Sequence, residues 1–480
     1  MNYQEIGFKS GVEIHQQLDT EKKLFCNCKS ELTKNKSVGS ISRKLRAVAG
    51  ETGDVDIAAS HELLKNKEFI YSIYPDESCL IELDEEPPHP INQEALKIAL
   101  QVAVLLNCEI PDEIHVMRKT VVDGSNTSGF QRTAIVGING FLETSKGKVG
   151  ITNVSLEEDS AQILDRQDKK VVYGLDRLGI PLVEIGTAPD AKDPEHTREI
   201  AEKIGLILRS TGKVKKGLGT IRQDVNVSIK GGARAELKGF QELSTIPLVI
   251  ENEIKRQQDL LKKGKKPEKE VRKVEPDNTT SFLRPMPGAS RLYPETDIPS
   301  IPLDKKLVEQ MKANPPEMWE EKLKRLSKFY NLNEQLAENL LKTGKSDLFE
   351  TIVKLGFEIN LVYRTLTATV KEVDREIANS KLSDNLVLEV FKKLDKNISK
   401  EALYETLKTT ASTGKIEKIE SGLSEDQLRK IIKEVISKNK DALQKHNPVG
   451  ILMGEVMKEV KGKGDGKLIV RILNEEIKHV

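Results

Sequence analysis

Acidic residues stand at alternating positions of apolar strands in this chain, and the chemistry it can do begins there. Gly11-Val-Glu-Ile-His15 reads as a strand, and a period of two puts Glu13 and His15 on one face. Leu156-Glu-Glu-Asp-Ser160 places Glu157 and Glu158 at a strand end, and one strand does not decide which of them is a metal ligand. Glu184 interrupts the apolar Ile180-Pro-Leu-Val-Glu-Ile. Asp224 and Asn226 alternate after Arg222, and Glu236 alternates with Lys238. A carboxylate inside an apolar strand is costly unless it is paired or holds a cation. A face offering Glu, Asp, Asn and one His is an oxygen-rich ligand set of the kind Mg2+ takes with part of its water retained. Magnesium held by carboxylates serves phosphate groups, so a nucleotide is the expected substrate, with ATP first. Arg118, Lys119, Arg222 and Lys238 share segments with the acids and supply counter-charge for phosphate.

The elements that must position these groups are mixed. Residues 12–18, 149–156, 171–175, 183–185 and 225–229 read as strands. Residues 94–106 carry a helical apolar stripe, and Asp193-Pro-Glu opens a second helix that Gly212 closes. Residues 251–275 form a charge run that reads as a solvated helix end and linker. Past Pro302 glycine and proline thin out and Leu/Ile/Lys/Glu helices take over. Leu382-Ser-Asp-Asn starts a fresh helix there, Ser424-Glu-Asp-Gln427 is a capping box, and residues 461–467 form a basic loop. The expected fold class is α+β: a mixed cradle at 1–302, a helical domain at 303–389 and a helical tail at 390–480.

Composition narrows the function. Lys+Arg 76 against Asp+Glu 75 gives a net charge of +1 over 480 residues, so no global field gathers nucleic acid or membrane. That neutrality averages an acidic cradle with basic arms, among them residues 255–275, where nine Lys/Arg face four Asp/Glu. No apolar run approaches a membrane span, and the first residues lack a signal-peptide pattern. Four cysteines make no disulfide scaffold, which points to the cytoplasm. Cys26-Asn-Cys28 is half of a zinc pattern. Cys79 and Cys108 stand alone far along the chain, so buried free thiols are favoured over a Zn2+ site. There is no P-loop, no strand-borne G-x-G-x-x-G with its acid, and no nucleophile elbow.

The stretches at 11–20, 116–133 (VMRKTVVDGSNTSGFQRT), 156–160, 176–187 (DRLGIPLVEIGT), 217–228 (GLGTIRQDVNVS) and 293–299 resemble the B/E family of tRNA-dependent amidotransferase subunits. Residues 447–467, with Gly-Ile-Leu-Met-Gly-Glu-Val-Met, resemble that family's tail domain. His15-Gln-Gln-Leu-Asp and Asp84-Glu-Glu-Pro-Pro-His-Pro are similar to its archaeal E-type branch. The resemblance implies that ATP phosphorylates the γ-carboxylate of glutamate carried on tRNA(Gln), after which ammonia displaces the phosphate. It implies Mg2+ held by His15, Glu158 and Glu184. Glu13, Lys119, Glu157, Asp224 and Glu236 line the catalytic pocket in this reading, and Arg118, Arg222, Asn226 and Lys238 meet the nucleotide. Without an amidase or asparaginase signature of its own, the chain needs a partner for ammonia. For the E-type branch this is an asparaginase-like D subunit, in a heterodimer or a dimer of heterodimers. E-type members carry an inserted domain after the helix that contains Glu251, and this chain lacks it. The competing readings are a B-type subunit of a three-subunit Asp/Glu-tRNA amidotransferase and a catalytically inactive tRNA-binding scaffold.

Overall fold

The computed structural model describes residues 2–44, 53, 55, 57–121, 123–286, 292–378, 380–396, 398, 400–416, 425–444, 448–460 and 466–477. Ser424 of the capping box, Asn447 and most of the 461–467 loop lie outside them. The chain forms two compact units, Met1–Trp319 and Glu320–Val480.

The strands in chain order are β1 (Lys9–Gln17), β2 (Gly39–Arg43), β3 (Glu68–Ile73), β4 (Glu113–Ile114), β5 (Val116–Thr120), β6 (Phe130–Thr144), β7 (Gly147–Glu158) and β8 (Gln162–Arg166). There follow β9 (Lys170–Gly174), β10 (Pro181–Thr187), β11 (Ile221–Ser228), β12 (Ala235–Lys238), β13 (Glu270–Val274), β14 (Thr280–Pro285), β15 (Leu292–Pro294) and β16 (Ile301–Pro302). Ten of them build one sheet in the order β14-β13-β12-β11-β1-β10-β7-β6-β5-β15, and β2-β3-β9-β8 make a smaller one. In the first unit the helices are α1 (Ile57–Leu63), α2 (Gln93–Leu105), α3 (Pro194–Ser210), α4 (Ile246–Lys262) and α5 (Lys305–Ala313).

Alternation decides what each face of the large sheet does. Val12 and Ile14 of β1, Val154 and Leu156 of β7, Val183 and Ile185 of β10, and Val225 and Val227 of β11 point to one side and are buried. That side packs on α2, α3 and α4 through Ala99, Ile200, Ile204, Val249 and Ile250 in a single core. Each such Val or Ile contributes roughly 1.5–3 kcal/mol on burial. The other side carries the intervening polar residues. The helix ends follow the sequence signals. Asn92 caps α2 by accepting from the backbone N–H of Glu94 and Ala95, and Asp193 caps α3 with Pro194 in its first turn. Gly212 takes the left-handed conformation (φ +67°) that ends α3.

Two differences from the sequence reading have physical causes. The charge run at 251–275 is not all linker. After α4 the chain returns as β13, parallel to β12, with Val271 fully buried. A helix must span such a parallel connection, and α4 does so. The first unit also extends past 302, because α5 packs on α2 and Met311 and Met318 lean on the main core.

The second unit is helical. Ser383 caps the helix Asp384–Lys393, which runs through the expected division near Glu389 and packs on the helix Lys400–Thr413. Glu425–Lys438, Pro448–Val460 and Gly466–Ile477 enclose their own core of Leu428, Ile432, Leu452, Val456, Ile469 and Leu473.

Candidate active site

The polar side of the large sheet gathers groups that are far apart in sequence. Antiparallel register sets His15 opposite both Glu184 of β10 and Arg222 of β11, and Glu13 opposite Asp224. Asn226 faces Glu236 on β12, while Thr133 of β6 faces Glu157 of β7. Ten of the twelve candidate residues lie on this side: Glu13, His15, Lys119, Glu157, Glu184, Arg222, Asp224, Asn226, Glu236 and Lys238.

The geometry is a chain of alternating charge. Lys119 Nζ lies 2.5 Å from Glu157 Oε1 and 2.9 Å from Glu184 Oε2. His15 Nε2 lies 3.3 Å from Glu184 Oε2 and 3.3 Å from Glu13 Oε1. Lys238 joins Asp224 to Glu236, the latter at 2.6 Å. Five carboxylates against Lys119, Lys238 and Arg222 leave an excess of two negative charges when His15 is neutral, and Asp159, which pairs with Arg222, raises it to three.

That excess sets the protonation states. Burial opposes charge on His15, but hydrogen bonds to Glu13 and Glu184 outweigh it and push its pKa up to about 10. Burial also opposes charge on Glu184, yet Lys119 and His15 hold its carboxyl well below the usual carboxylate range. For Glu13 the hydrogen bond from His15 likewise overcomes burial and lowers the pKa. Glu157 goes the other way: burial, with Glu184 beside it, raises its pKa despite Lys119. Asp224 is raised by burial against the pull of Lys238.

Glu13, His15 and Glu184 present ligand atoms that all lie within 4.8 Å of one another. Two carboxylates and an imidazole on a net-negative face fit a divalent cation, whose binding must displace the proton from His15. Glu158, expected in this ligand set, is on the opposite side of β7. It pairs there with buried Arg132, at 3.3 Å from Nη1, and accepts from the Arg132 backbone N–H. Arg118 is on that side too, bound to Glu295 at 2.5 Å and Asp297 at 3.2 Å, and is not placed to meet a nucleotide beside Lys119. Parity is the reason: 158 and 118 each stand one residue from a group on the polar side, and successive side chains alternate. Among the described residues the group that could hold a metal here contains Glu13 and not Glu158.

Sequence reasoning missed the groups that hold these in place. Thr133 Oγ1 donates to Glu157 Oε1 at 2.9 Å, and Gln131 Nε2 donates to Oε2 at 3.0 Å. Asp159, almost fully buried, accepts from Gln17 Nε2 at 2.6 Å and binds Arg222 Nη2 at 2.8 Å, fixing that guanidinium. The run of three acids at 157–159 held the signal: alternation sends two of them to opposite sides and the strand end turns the third inward.

A second constellation bears on the cysteines, for which the sequence favours buried free thiols over a Zn2+ site. Cys79 is distant only in sequence. The thiols of Cys26, Cys28 and Cys79 and the carboxylate of Glu82 have ligand atoms within 4.8 Å of one another. Cys26 Sγ lies 2.8 Å from Glu82 Oε1, and Cys79 Sγ 3.1 Å from Oε2. Hydrogen bonding with the neighbouring thiols, Cys28 before Cys79, and then burial push the Cys26 pKa up. Hydrogen bonds with Cys26 and Cys28 lower that of Cys79. Cys108 is buried in the main core and takes no part.

A family model described as the GatB/GatE catalytic domain matches residues 8–309, the whole of the sheet that carries these groups. The chain belongs to the GatB/GatE family. A second model, the GatB domain, matches residues 347–477 in the helical unit. Among curated relatives, the E subunit of glutamyl-tRNA(Gln) amidotransferase from Methanocaldococcus jannaschii is 38% identical over 628 aligned positions, covering 100% of both chains. The proteins of the same name from Saccharolobus solfataricus and Thermococcus gammatolerans are 36% and 35% identical, covering 100% of this chain and 99% of each relative. An alignment of 628 positions against 480 residues leaves about 148 positions of the Methanocaldococcus protein without a counterpart here. This agrees with the expected lack of an inserted domain in this GatB/GatE member.

Proposed function

We propose that this chain is the amidotransferase component that converts Glu-tRNA(Gln) to Gln-tRNA(Gln) with ATP and ammonia. The observation that carries the reading is the polar sheet side, where Glu13, His15 and Glu184 stand within reach of one cation while Lys119 and Lys238 stand beside them. A γ-carboxylate oxygen of the tRNA-bound glutamate attacks the γ-phosphorus of ATP and ADP leaves. Ammonia then attacks the acyl carbon, phosphate departs, and the amide remains. Oxide is a poor leaving group from a carboxylate and phosphate a good one, which is why ATP is consumed.

Magnesium bound to Glu13, His15 and Glu184 would draw charge from the phosphates of ATP. Lys119, braced between Glu157 and Glu184, is placed to meet negative charge developing on the transferred group. Asp159 keeps Arg222 extended along the same side as a second cation for phosphate. Asp224 and Glu236 orient Lys238, and Asn226 offers a neutral amide between them. The acyl phosphate must be kept from water, so ammonia has to arrive from a docked source. The source fitting the E-type relatives is an asparaginase-like D subunit, in the cytoplasm. Among the described residues no helix is long and apolar enough to cross a membrane.

The Cys26, Cys28, Cys79 and Glu82 group fits a structural zinc, since three sulfurs and a carboxylate oxygen can close a tetrahedron. Such a zinc would tie the loop after β1 to the turn after β3.

The deciding experiment is an amidation assay of the purified complex with Glu-tRNA(Gln) and Asp-tRNA(Asn) offered separately. ATP-dependent product from the first alone is expected. Equal turnover of Asp-tRNA(Asn) would favour the B-type role, and no phosphoryl transfer from ATP with either tRNA would refute the catalytic reading.

A further inference from the structure

The small sheet carries a basic cleft that none of the phosphoryl-transfer chemistry uses. The hairpin β8–β9 leaves the end of β7 directly after the acids at 157–159, and its turn presents Arg166, Gln167, Asp168 and Lys169. Against it stands the segment that joins α1 to β3. That segment is fixed by the left-handed Asn66 (φ +45°) and by the Glu68 N–H donating to the Lys169 carbonyl at 2.9 Å. Lys65 and Lys67 thereby meet the hairpin turn around a cleft of about 520 Å³.

Charge and chemistry of the lining point to one kind of ligand. Four cations face a single lining acid, Asp168. Lys65 is held by Glu62 at 2.5 Å, whereas Lys67, Arg166 and Lys169 have no carboxylate at ion-pair distance among the described residues. Here three cations without a carboxylate partner stand around one cleft, whereas Lys29, Lys203 and Arg256 are paired with Asp76, Glu199 and Glu270. Arg272 of the basic 255–275 run is taken up by Glu253 and Glu270. No Phe, Tyr, Trp or His lines the cleft, so it has no platform on which a base could stack and no aromatic anchor for a protein partner. What remains is recognition of phosphate by charge alone, which is how a nucleic-acid backbone is held.

We infer that Lys67, Arg166 and Lys169 bind backbone phosphates of the RNA whose aminoacylated end reaches the acidic sheet side. The inference rests on the proposed tRNA substrate. The catalytic side is net negative and repels RNA, so nearby cations must offset it. Nine residues separate Glu157 from Arg166, which limits the distance between them to about 30 Å.

The test uses a Lys67→Ala/Arg166→Ala/Lys169→Ala variant in the full complex, with filter binding of tRNA(Gln) and of poly(U) between about 50 and 200 mM salt. Loss of three phosphate contacts should make the plot of log affinity against log salt shallower by about 2 to 3. Both RNAs should bind the variant more weakly at the low-salt end, while amidation at saturating Glu-tRNA(Gln) keeps its turnover rate. Unchanged affinity and slope would overturn the inference. So would intact RNA binding with loss of co-migration with the ammonia-supplying partner, which assigns the cleft to a protein. If wild type binds poly(U) through the cleft but neither binds nor amidates tRNA, the inference about phosphate stands and the proposed function fails.

Discussion

Glu184→Gln is the perturbation that bears hardest on the site. The substitution keeps size and an oxygen donor but removes one charge from a carboxylate 2.9 Å from Lys119 Nζ and 3.3 Å from His15 Nε2. A unit charge about 4 Å from a divalent cation contributes about 8 kcal/mol at an effective dielectric of ~20. Part of this returns on relaxation: the amide oxygen still points at the cation, Lys119 keeps Glu157 at 2.5 Å, and His15 keeps Glu13. If half is recovered, about 4 kcal/mol is lost from the phosphoryl-transfer barrier, or roughly 1,000-fold in rate. The assay follows labelled phosphate from ATP in the complete complex with Glu-tRNA(Gln) and added ammonium, beside filter binding of the tRNA. Affinity for tRNA should stay within about 3-fold of wild type, since the net-negative group is not what holds RNA. Amidation within a few-fold of wild type would refute the assignment of Glu184 to the cation.

Neighbouring residues on β7 should behave oppositely. Glu157→Gln is expected to lower the phosphoryl-transfer rate by about 100-fold or more. Glu158→Gln should leave turnover within a few-fold but lower the melting temperature, because it removes one of the two carboxylates paired with the buried Arg132 and leaves only Glu295, and comparable rates for both variants would contradict the placement of the two sides. Cys79→Ser should abolish zinc binding as read by elemental analysis after zinc loading, and equal zinc in wild type and variant would remove that site. A pH effect follows from His196, buried at the start of α3. Its Nδ1 accepts the Lys192 N–H at 3.1 Å and its Nε2 lies 2.8 Å from Thr144 Oγ1, so the folded state holds the neutral ring. Burial lowers its pKa below the ordinary 6.5. Its contribution is therefore fully present above 6.5 and is lost as pH falls through the folded value. Relative to His196→Gln, wild type should lose stability in urea melts as pH falls below about 6.5, and parallel curves would show that His196 does not titrate on unfolding.

Much of this architecture was legible as alternation. The apolar phase of β1, β10 and β11 identifies Glu13, His15, Glu184, Asp224 and Asn226 as odd polar residues in half-buried strands, and they do share a side. At 157 and 158 the reading fails, because adjacent acids can be resolved only by knowing which phase of β7 faces the helices. That phase is set by Leu156 packing into the core and by the pairing of β7 with β10. Arg118 and Lys119 pose the same problem on β5. The cysteine group was illegible for a different reason: its second half is Cys79-x-x-Glu82, a spacing that reads as zinc-like only once folding has brought it to Cys26 and Cys28. Asp159 could not be read as the partner of Arg222, since a strand end gives no direction to its side chain. The inner part of the charge run misleads because Arg256 and Glu253 of α4 and Arg272 and Glu270 of β13 satisfy one another.

The two sides of the large sheet set activity and thermal endurance against each other. The cohesion of these strands comes from the helix-covered side, while the other brings five carboxylates together in partly desolvated positions. Buried ion pairs replaced by well-packed apolar residues often leave a protein unchanged or more stable by about 1–4 kcal/mol. Joint replacement of Lys119, Glu157 and Glu184 by apolar side chains of matching volume should therefore give a protein that melts later and does nothing. The charged face therefore lowers the stability of the sheet, and chemistry rather than folding accounts for it.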